Sequence, residues 1–222
     1  MCGRKTITRD MLSIIEELAI DEWQDPDSYF PSYNVAPTQV TPILVYNGKR
    51  IVTPMRWGLI PNWAKDEKMA SRMINARAET VTEKPSFKNL MHRNRCVVIA
   101  DGYYEWKKTE TERQPYYIHH PNGKLLPMAG LWDQWHNQEG KLVLSYTVIT
   151  NTPQSELAHI HNRMPVILTH DNIETWIDWK QNTVQAVLPL LIPRESTLTA
   201  YPVSSFVNSP KNNSADCIIS LD

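Results

Sequence analysis

The chain has 222 residues, is 41% hydrophobic and 21% charged, and carries a formal net charge of −1. These values fit one soluble, well-packed domain and exclude a disordered chain. They also exclude a globally basic nucleic-acid binder, so any contact with nucleic acid has to come from a local basic surface.

No apolar run approaches the roughly 20 residues of a membrane span. The opening MCGRKTITRD has no apolar stretch of the kind a secretion signal needs. The expectation is a cytoplasmic protein, nucleoid-associated in a bacterium, with no membrane contact. The three cysteines form no CxxC pair and no His/Cys ligand spacing. Neither a disulfide framework nor a metal site is expected.

In chain order, TRDMLSIIEELAI (8–20) predicts a helix with Met11, Leu12, Ile14, Ile15 and Leu18 on one face and Thr8 as N-cap. PDSYFPSYNVAPTQVTP (26–42) is proline-rich and reads as extended loop. PILVYNGKRIVTP predicts a hairpin turning at Asn47-Gly48. MRWGLIPNWAKDEK reads as a strand end and then an exposed loop carrying Trp57 and Trp63. PSFKNLMHR reads as a short helix opened by Pro85. RCVVIADGYYEWKK reads as two strands around an Asp-Gly turn. QPYYIHHPNGKLLPMAGLWDQW predicts a second hairpin, turning at Asn122-Gly123. A long strand (KLVLSYTVIT), a short helix (TPQSELAHIH) and a strand (MPVIL) follow. Two helical segments (DNIETWIDW, TVQAVLPLLI) and a last strand (LTAYPVSS) close the chain. Hairpins dominate and no βαβ rhythm is present. The fold class is therefore α+β, with a mainly antiparallel sheet or open barrel in a single domain over residues 1–222. Cys96 and Cys217 lie in apolar, strand-like runs, which leaves Cys2 as the cysteine in a polar setting.

Four segments place acid–base side chains beside turns or strand ends, where apolar packing does not account for them. They are MCGR, NAR (75–77), DGYYEWKK (101–108) and HNRMP (161–165). Removal of Met1 would leave Cys2 with an α-amine and a thiol on one carbon framework. The amine, with a reference pKa of about 7.7–8.0, attacks aldehydes to give imines. The thiol can then add to the imine carbon and close a five-membered thiazolidine ring. Glu105 and His161 could supply the proton transfers. Asn75 could hold the amine or a substrate oxygen, and Arg4, Arg77 and Arg163 could hold phosphate through guanidinium forks. Each residue also has a plainer reading. Cys2 fits an incidental residue, Glu105 a solvent-facing strand position, His161 a helix C-cap and Asn75 a turn residue. Arg77 with Glu79 fits a surface ion pair.

Seven segments, MCGR, YNVAPTQ (33–39), RWGLIPNW (56–63), INARAET (74–80), CVVIADGYYEWKK (96–108), YTVIT (146–150) and IHNRMPVIL (160–168), carry a resemblance. Together, from residue 2 to about residue 210, the chain resembles the SRAP family, the SOS response-associated peptidase or abasic-site processing proteins. The resemblance implies a single α+β domain with a barrel-like, mainly antiparallel β core, flanking helices and a positively charged groove for single-stranded DNA. It implies capture of the ring-opened aldehyde of an abasic site as a thiazolidine crosslink that shields the lesion. Abasic-site lyase and self-processing peptidase activities are also associated with the family. Carried over by position, Cys2 matches the nucleophile, Asn75 the asparagine beside its amine, Glu105 the proton-transferring glutamate and His161 the histidine acting on the opened sugar oxygen. Arg4, Arg77 and Arg163 match phosphate contacts. Pro37 and Trp63 match residues that stack on or wedge against bases, and Trp106 falls beside the site. The implied partner is single-stranded DNA containing abasic sites. No cofactor and no metal are implied, and a monomer is expected. Two departures stand out. Lys5 follows MCGR where the family usually has an aromatic residue, which would add a phosphate contact or loosen packing behind Cys2. VTEKPS (81–86) has Lys84 as its only cation where some members carry an arginine toward DNA. Two other function classes remain open: a cysteine peptidase with Cys2 as nucleophile and His161 as base, and a noncatalytic single-strand binding module.

Overall fold

The computed structural model describes residues 2–193 and 197–221. Its strands are β1 (Lys5–Ile7), β2 (Glu22–Trp23), β3 (Ser32–Val35), β4 (Val40–Tyr46), β5 (Arg50–Trp57), β6 (Asn75–Arg77), β7 (Arg95–Val98), β8 (Gly102–Lys108), β9 (Arg113–His119), β10 (Met128–His136), β11 (Leu142–Asn151), β12 (Met164–Pro165) and β13 (Thr199–Pro202). The helices are α1 (Met11–Leu18), α2 (Leu90–Arg93), α3 (His170–Ile177) and α4 (Val184–Val187).

Two sheets build the domain. In the larger one, β5, β4, β7, β10 and β11 pair in that order. The parallel pairing of β11 with β5, Ser145 opposite Arg56 and Tyr146 opposite Trp57, brings the fifth strand back to the first and closes a mixed barrel. The closure is packed as well as hydrogen-bonded, with the Trp57 and Tyr146 rings stacked at 6.2 Å. β2 and β12 extend the barrel's strands, and β6 adds in parallel to β11. Gly130 on β10 is required by close approach, because a Cβ there would lie 2.8 Å from the Val98 side chain and 2.9 Å from the Thr147 carbonyl. The second sheet has the order β13-β9-β8-β1-β3, antiparallel throughout. The α+β, barrel-cored architecture expected from the sequence is the one present.

The hairpin at Asn47-Gly48 forms between β4 and β5. Gly48 turns the chain at φ +82°. A side chain would be strained in that conformation. The hairpin expected at Asn122-Gly123 does not form. The chain turns there, but β9 pairs with β8 and β13 in the second sheet while β10 pairs with β7 and β11 in the barrel. The turn chemistry is real and the partner is chosen by tertiary packing. The segment read as extended loop contains β3, an edge strand on β1. Trp57 is buried in the barrel and donates from Nε1 to the Ile74 carbonyl at 3.0 Å, so it is not a loop residue. Trp63 is exposed, as expected.

Helix α1 is capped by Asp10, which accepts from Ser13 N at 3.0 Å, and Leu12 points to solvent. Thr8 is not the cap, since its N–H and hydroxyl are held by the Asp101 carboxylate. Asp101 also accepts from Thr6 Oγ1 and Arg9 N, so it ties β1 and the start of α1 to the head of β8. The Asp101-Gly102 step is thus a crossing from barrel to sheet. The helix predicted from Pro85 narrows to the single turn of α2, and Cys217 sits buried in a 3-10 turn instead of a strand. Among the described residues, no helix is long and apolar enough to cross a membrane.

Candidate active site

The seam between the second sheet and the barrel gathers the four acid–base segments. Cys2 lies just before β1, and β8 of the same sheet carries Glu105. β6 on the barrel side carries Asn75, and the connection from β11 to β12 carries His161. The seam is joined directly: Asn75 Nδ2 donates to the Cys2 carbonyl at 2.8 Å. Asn75 Oδ1 is buried with no hydrogen-bond partner among the described residues. His161 Nδ1 lies 3.9 Å from Glu105 Oε1. That is too far for a direct hydrogen bond but close enough for mutual electrostatic influence. Glu105, His161 and Arg163 share a narrow crevice walled by Tyr103, Leu157 and Met164.

Burial dominates the electrostatics. Glu105 is only 2% exposed. Desolvation pushes its carboxyl up to about 7, with the positive amino terminus acting in the other direction. The Cys2 thiol is fully buried, not in a polar setting as the sequence suggested. Desolvation and the Glu105 charge push it up to about 12. Burial, followed by the positive amino terminus, lowers His161 from its ordinary value, which keeps the imidazole neutral near pH 7. Its Nδ1 lies 3.0 Å from the Arg163 backbone nitrogen and 3.2 Å from the Arg163 carbonyl oxygen, accepting from the first in one tautomer and donating to the second in the other. Tyr103, buried beside these groups, has a hydroxyl with no hydrogen-bond partner among the described residues. Desolvation, with the Cys2 and Glu105 charges adding to it, holds its phenol well above the usual value.

The candidate phosphate contacts differ in availability. Arg163 makes a bidentate ion pair with Glu79 and donates to the Thr150 carbonyl at 2.5 Å. Arg4 donates to Asn34 Oδ1 at 2.7 Å and to the Val207 carbonyl at 2.8 Å, with its guanidinium 5.8 Å from the Trp106 ring. Arg77 is exposed at the end of β6 and has no ion-pair partner among the described residues. Trp106 is half-buried and tethered through Nε1 to Asn208 Oδ1 at 2.7 Å. Pro37 is half-buried and precedes Thr38, whose φ is +76°. That is unusual for a β-branched residue. Lys5 is not exposed to add a phosphate contact: it is fully buried and donates from Nζ to the Ile99 carbonyl at 2.8 Å.

Sequence reasoning missed Asp101, Asn34 and Thr150. Asp101 positions the strand behind Cys2, and the other two hold Arg4 and Arg163. All three work through backbone or side-chain partners far away in sequence. Each lay inside a segment the sequence singled out, Asp101 in DGYYEWKK, Asn34 in YNVAPTQ and Thr150 in YTVIT, but nothing in those segments marked its partner. The described residues contain no cluster of three or more His, Cys, Asp or Glu able to hold a metal ion.

Comparison with known proteins agrees with this architecture. Abasic site processing protein YoaM of Bacillus subtilis is 42% identical over 221 residues, which cover 98% of this chain and 97% of that protein. Abasic site processing protein HMCES of Pongo abelii is 36% identical over 272 aligned positions, spanning 100% of this chain and 77% of that protein. A solved structure of a Bacteroides thetaiotaomicron protein superposes over 100% of both chains at a TM-score of 0.89 and 26% identity. The profile of the SOS response associated peptidase (SRAP) family matches residues 1–210, and with nearly the whole length covered in this way the chain belongs to that family.

Proposed function

We propose that the chain captures abasic sites in single-stranded DNA by forming a thiazolidine between Cys2 and the aldehyde of the opened sugar. The observation that carries this reading is the Asn75 contact with Cys2. It brings a buried carbonyl acceptor (Oδ1), unpaired among the described residues, beside the residue whose amine would react. A buried acceptor calls for a donor, and an amine N–H fits it. The relatives named as abasic site processing proteins support the substrate.

The chemistry follows from the protonation states. Removal of Met1 frees the α-amine of Cys2, which attacks the aldehyde carbon. Water leaves with the aldehyde oxygen, and an imine remains. Glu105, with its carboxyl near 7, can take a proton from the attacking amine and return it to the departing oxygen at neutral pH. His161 can give a proton to the opened sugar oxygen. The thiol S–H then adds across C=N: sulfur bonds to carbon and the proton ends on nitrogen. One water is lost overall. Arg77, exposed at the end of β6, would meet a phosphate, and the exposed ring of Trp63 a base. Stacking of that kind in single strands is worth about 1–3 kcal/mol. Lyase activity on the same imine is part of this reading.

The family's name keeps a peptidase reading in view, with Cys2, His161 and Glu105 as its set. The charge setting favours the aldehyde. A peptidase nucleophile is a thiolate, whereas burial and Glu105 hold this thiol at about 12, so the amine leads. Intact mass of the purified protein, before and after incubation with a single-stranded oligonucleotide carrying one abasic site, tests the choice. Loss of the Met1 mass and a heat-stable adduct equal to protein plus oligonucleotide minus one water are expected. A crosslink that persists in Cys2→Ala would refute the nucleophile. Acylation of Cys2 by an amide or ester probe without any aldehyde adduct would favour the peptidase.

A further inference from the structure

The chain that leaves the site turns basic. β6 ends at the exposed Arg77, and the backbone then winds from Thr80 to Asn94 in successive turns. Lys84 N bonds the Thr80 carbonyl at 3.0 Å, Lys88 N the Lys84 carbonyl at 2.9 Å and Asn94 N the Leu90 carbonyl at 2.8 Å. Lys84, Lys88 and His92 follow one another at intervals of four along this coil, and all three are exposed. Arg93, also exposed, ends α2 beside them. Glu83 is the one acidic residue between positions 81 and 94. Among the described residues, neither Lys84 nor Lys88 nor Arg93 has an ion-pair partner. Like charges four residues apart on a coil repel, so nothing inside the segment accounts for them. In a chain of net charge −1 they form a local basic surface, which is what contact with a polyanion requires.

A second loop adds to this surface. Lys88 and His92 border a trough against Gln185 of α4. His92 and Gln185 also border the next trough, which Arg93, Trp179 and Lys180 complete, so the two run together. Trp179 is flanked by two cations: the Arg93 guanidinium lies 5.7 Å from its ring centre and Lys180 Nζ 5.5 Å. Cation–π contact of this kind holds charged side chains in place without neutralising them. The loop beneath is fixed. The buried Asp178 carboxylate accepts from Lys180 N at 3.0 Å and Gln181 N at 3.2 Å, and the buried Arg95 donates to the Trp176 and Asn182 carbonyls. Several unpaired cations spread along a trough suit a chain of phosphates better than one small anion. We propose that the surface from Lys84 to Lys180 is a second nucleic-acid site, which takes the phosphodiester backbone of the strand flanking the lesion once that strand has passed Arg77. The proposal rests on the reading of single-stranded DNA as the substrate and extends the contact beyond the site around Cys2.

The test reads binding away from the lesion. The full chain and a triple variant, Lys88→Gln with Arg93→Gln and Lys180→Gln, are titrated by fluorescence anisotropy across salt concentrations. The probes are unmodified single strands of about 8 and about 30 nucleotides, one within and one beyond the roughly 4–16 nucleotides that a small single-strand domain covers. On the long strand the variant's log–log salt slope should be shallower by about 2, at about 0.7 for each lost phosphate contact. The two affinities should then meet near about 1 M salt and differ by about 100-fold near about 0.1 M. On the short strand, which cannot span both surfaces, the loss should be much smaller. Lys84→Gln with Lys88→Gln leaves Trp179 untouched, should lose about 1.4 in slope, and stands in if the triple variant does not fold. An unchanged slope on the long strand, or no binding of that strand by wild type, overturns the proposal. So does an equal loss on the short strand, which would show that no strand runs from Arg77 to the trough. Phosphatidylserine vesicles bound by wild type alone, with equal slopes on DNA, would give the surface to anionic lipid and overturn it too. Crosslinking to a short abasic oligonucleotide separates this proposal from capture. A variant-sensitive slope with no crosslink in either protein would refute capture and leave the second site standing, and normal crosslinking with an unchanged slope would do the reverse.

Discussion

Replacing Glu105 with Gln should make the protein more stable and less active, and the size of the first effect follows from burial. An unfolded chain releases this proton near the ordinary glutamate value of 4.5, whereas the folded chain holds it up to about 7. Between those values the native state binds more protons than the unfolded state, so stability falls as pH rises through the window. At about 1.4 kcal/mol for each tenfold change, that gap corresponds to about 3 kcal/mol, fully developed above about pH 7. Glutamine has nearly the same shape and no charge. Urea unfolding at about pH 4 should give wild type and Glu105→Gln similar stability, with the variant ahead by up to about 3 kcal/mol near pH 8. That figure already contains the opposing pull of the positive amino terminus. Crosslink formation should fall by about 10²- to 10⁴-fold, the usual worth of a positioned general acid–base. A stability difference that does not change between the two pH values, or a variant weaker at pH 8, would refute the account of Glu105 as a desolvated carboxyl.

Two binding predictions separate DNA contact from packing. Glu79→Gln removes the carboxylate that occupies Arg163. Single-stranded DNA should then bind more tightly at low salt, with the salt dependence steeper by about 0.7 in log–log slope for one added phosphate contact. Titration of a fluorescent oligonucleotide across salt concentrations checks this, and an unchanged slope would show that Arg163 does not meet phosphate. The Trp63 ring is largely in solvent, 56% exposed. Trp63→Ala should therefore leave urea stability within about 0.5 kcal/mol. The same change should weaken single-strand binding by about 1–3 kcal/mol. An equal loss of stability and binding would return Trp63 to packing.

The acid–base residues were legible because their chemistry does not suit their neighbours. A glutamate between aromatic residues in DGYYEWKK and a histidine ahead of an arginine in HNRMP stand out from the apolar periodicity of their elements. Hairpins were legible where turn and pairing agree, as at Asn47-Gly48. At Asn122-Gly123 the turn signal was equally good, but Tyr117 packs against Tyr104 and Tyr201 in the second sheet, and that packing carries β9 away from β10. β3 was hidden because a four-residue edge strand between prolines has no room for an alternation pattern. Its place is fixed by β1 and by Asn34 bonds to the Val207 and Ser209 carbonyls. The burial of Cys2 and Lys5 could not be read at all. A polar stretch at the start of a chain carries no mark that it will be drawn under a sheet.

In the proposed capture, that burial decides the order of events at the site. A thiol held at about 12 beside a carboxyl at about 7 is a poor first nucleophile. An exposed thiolate would be open to oxidation before any lesion was met. An amine leads without that cost, because its unprotonated fraction near neutral pH is appreciable. Once the aldehyde has become an imine, the demands on sulfur change. The electrophile lies within the same residue, so the thiol's effective concentration is high even though its ionised fraction is small. Glu105 opposes the thiolate only while it is charged. Each time it holds its proton, the like-charge barrier to sulfur attack falls. Burial therefore protects the thiol before the imine forms, and after it the protonation of Glu105 governs the sulfur's attack.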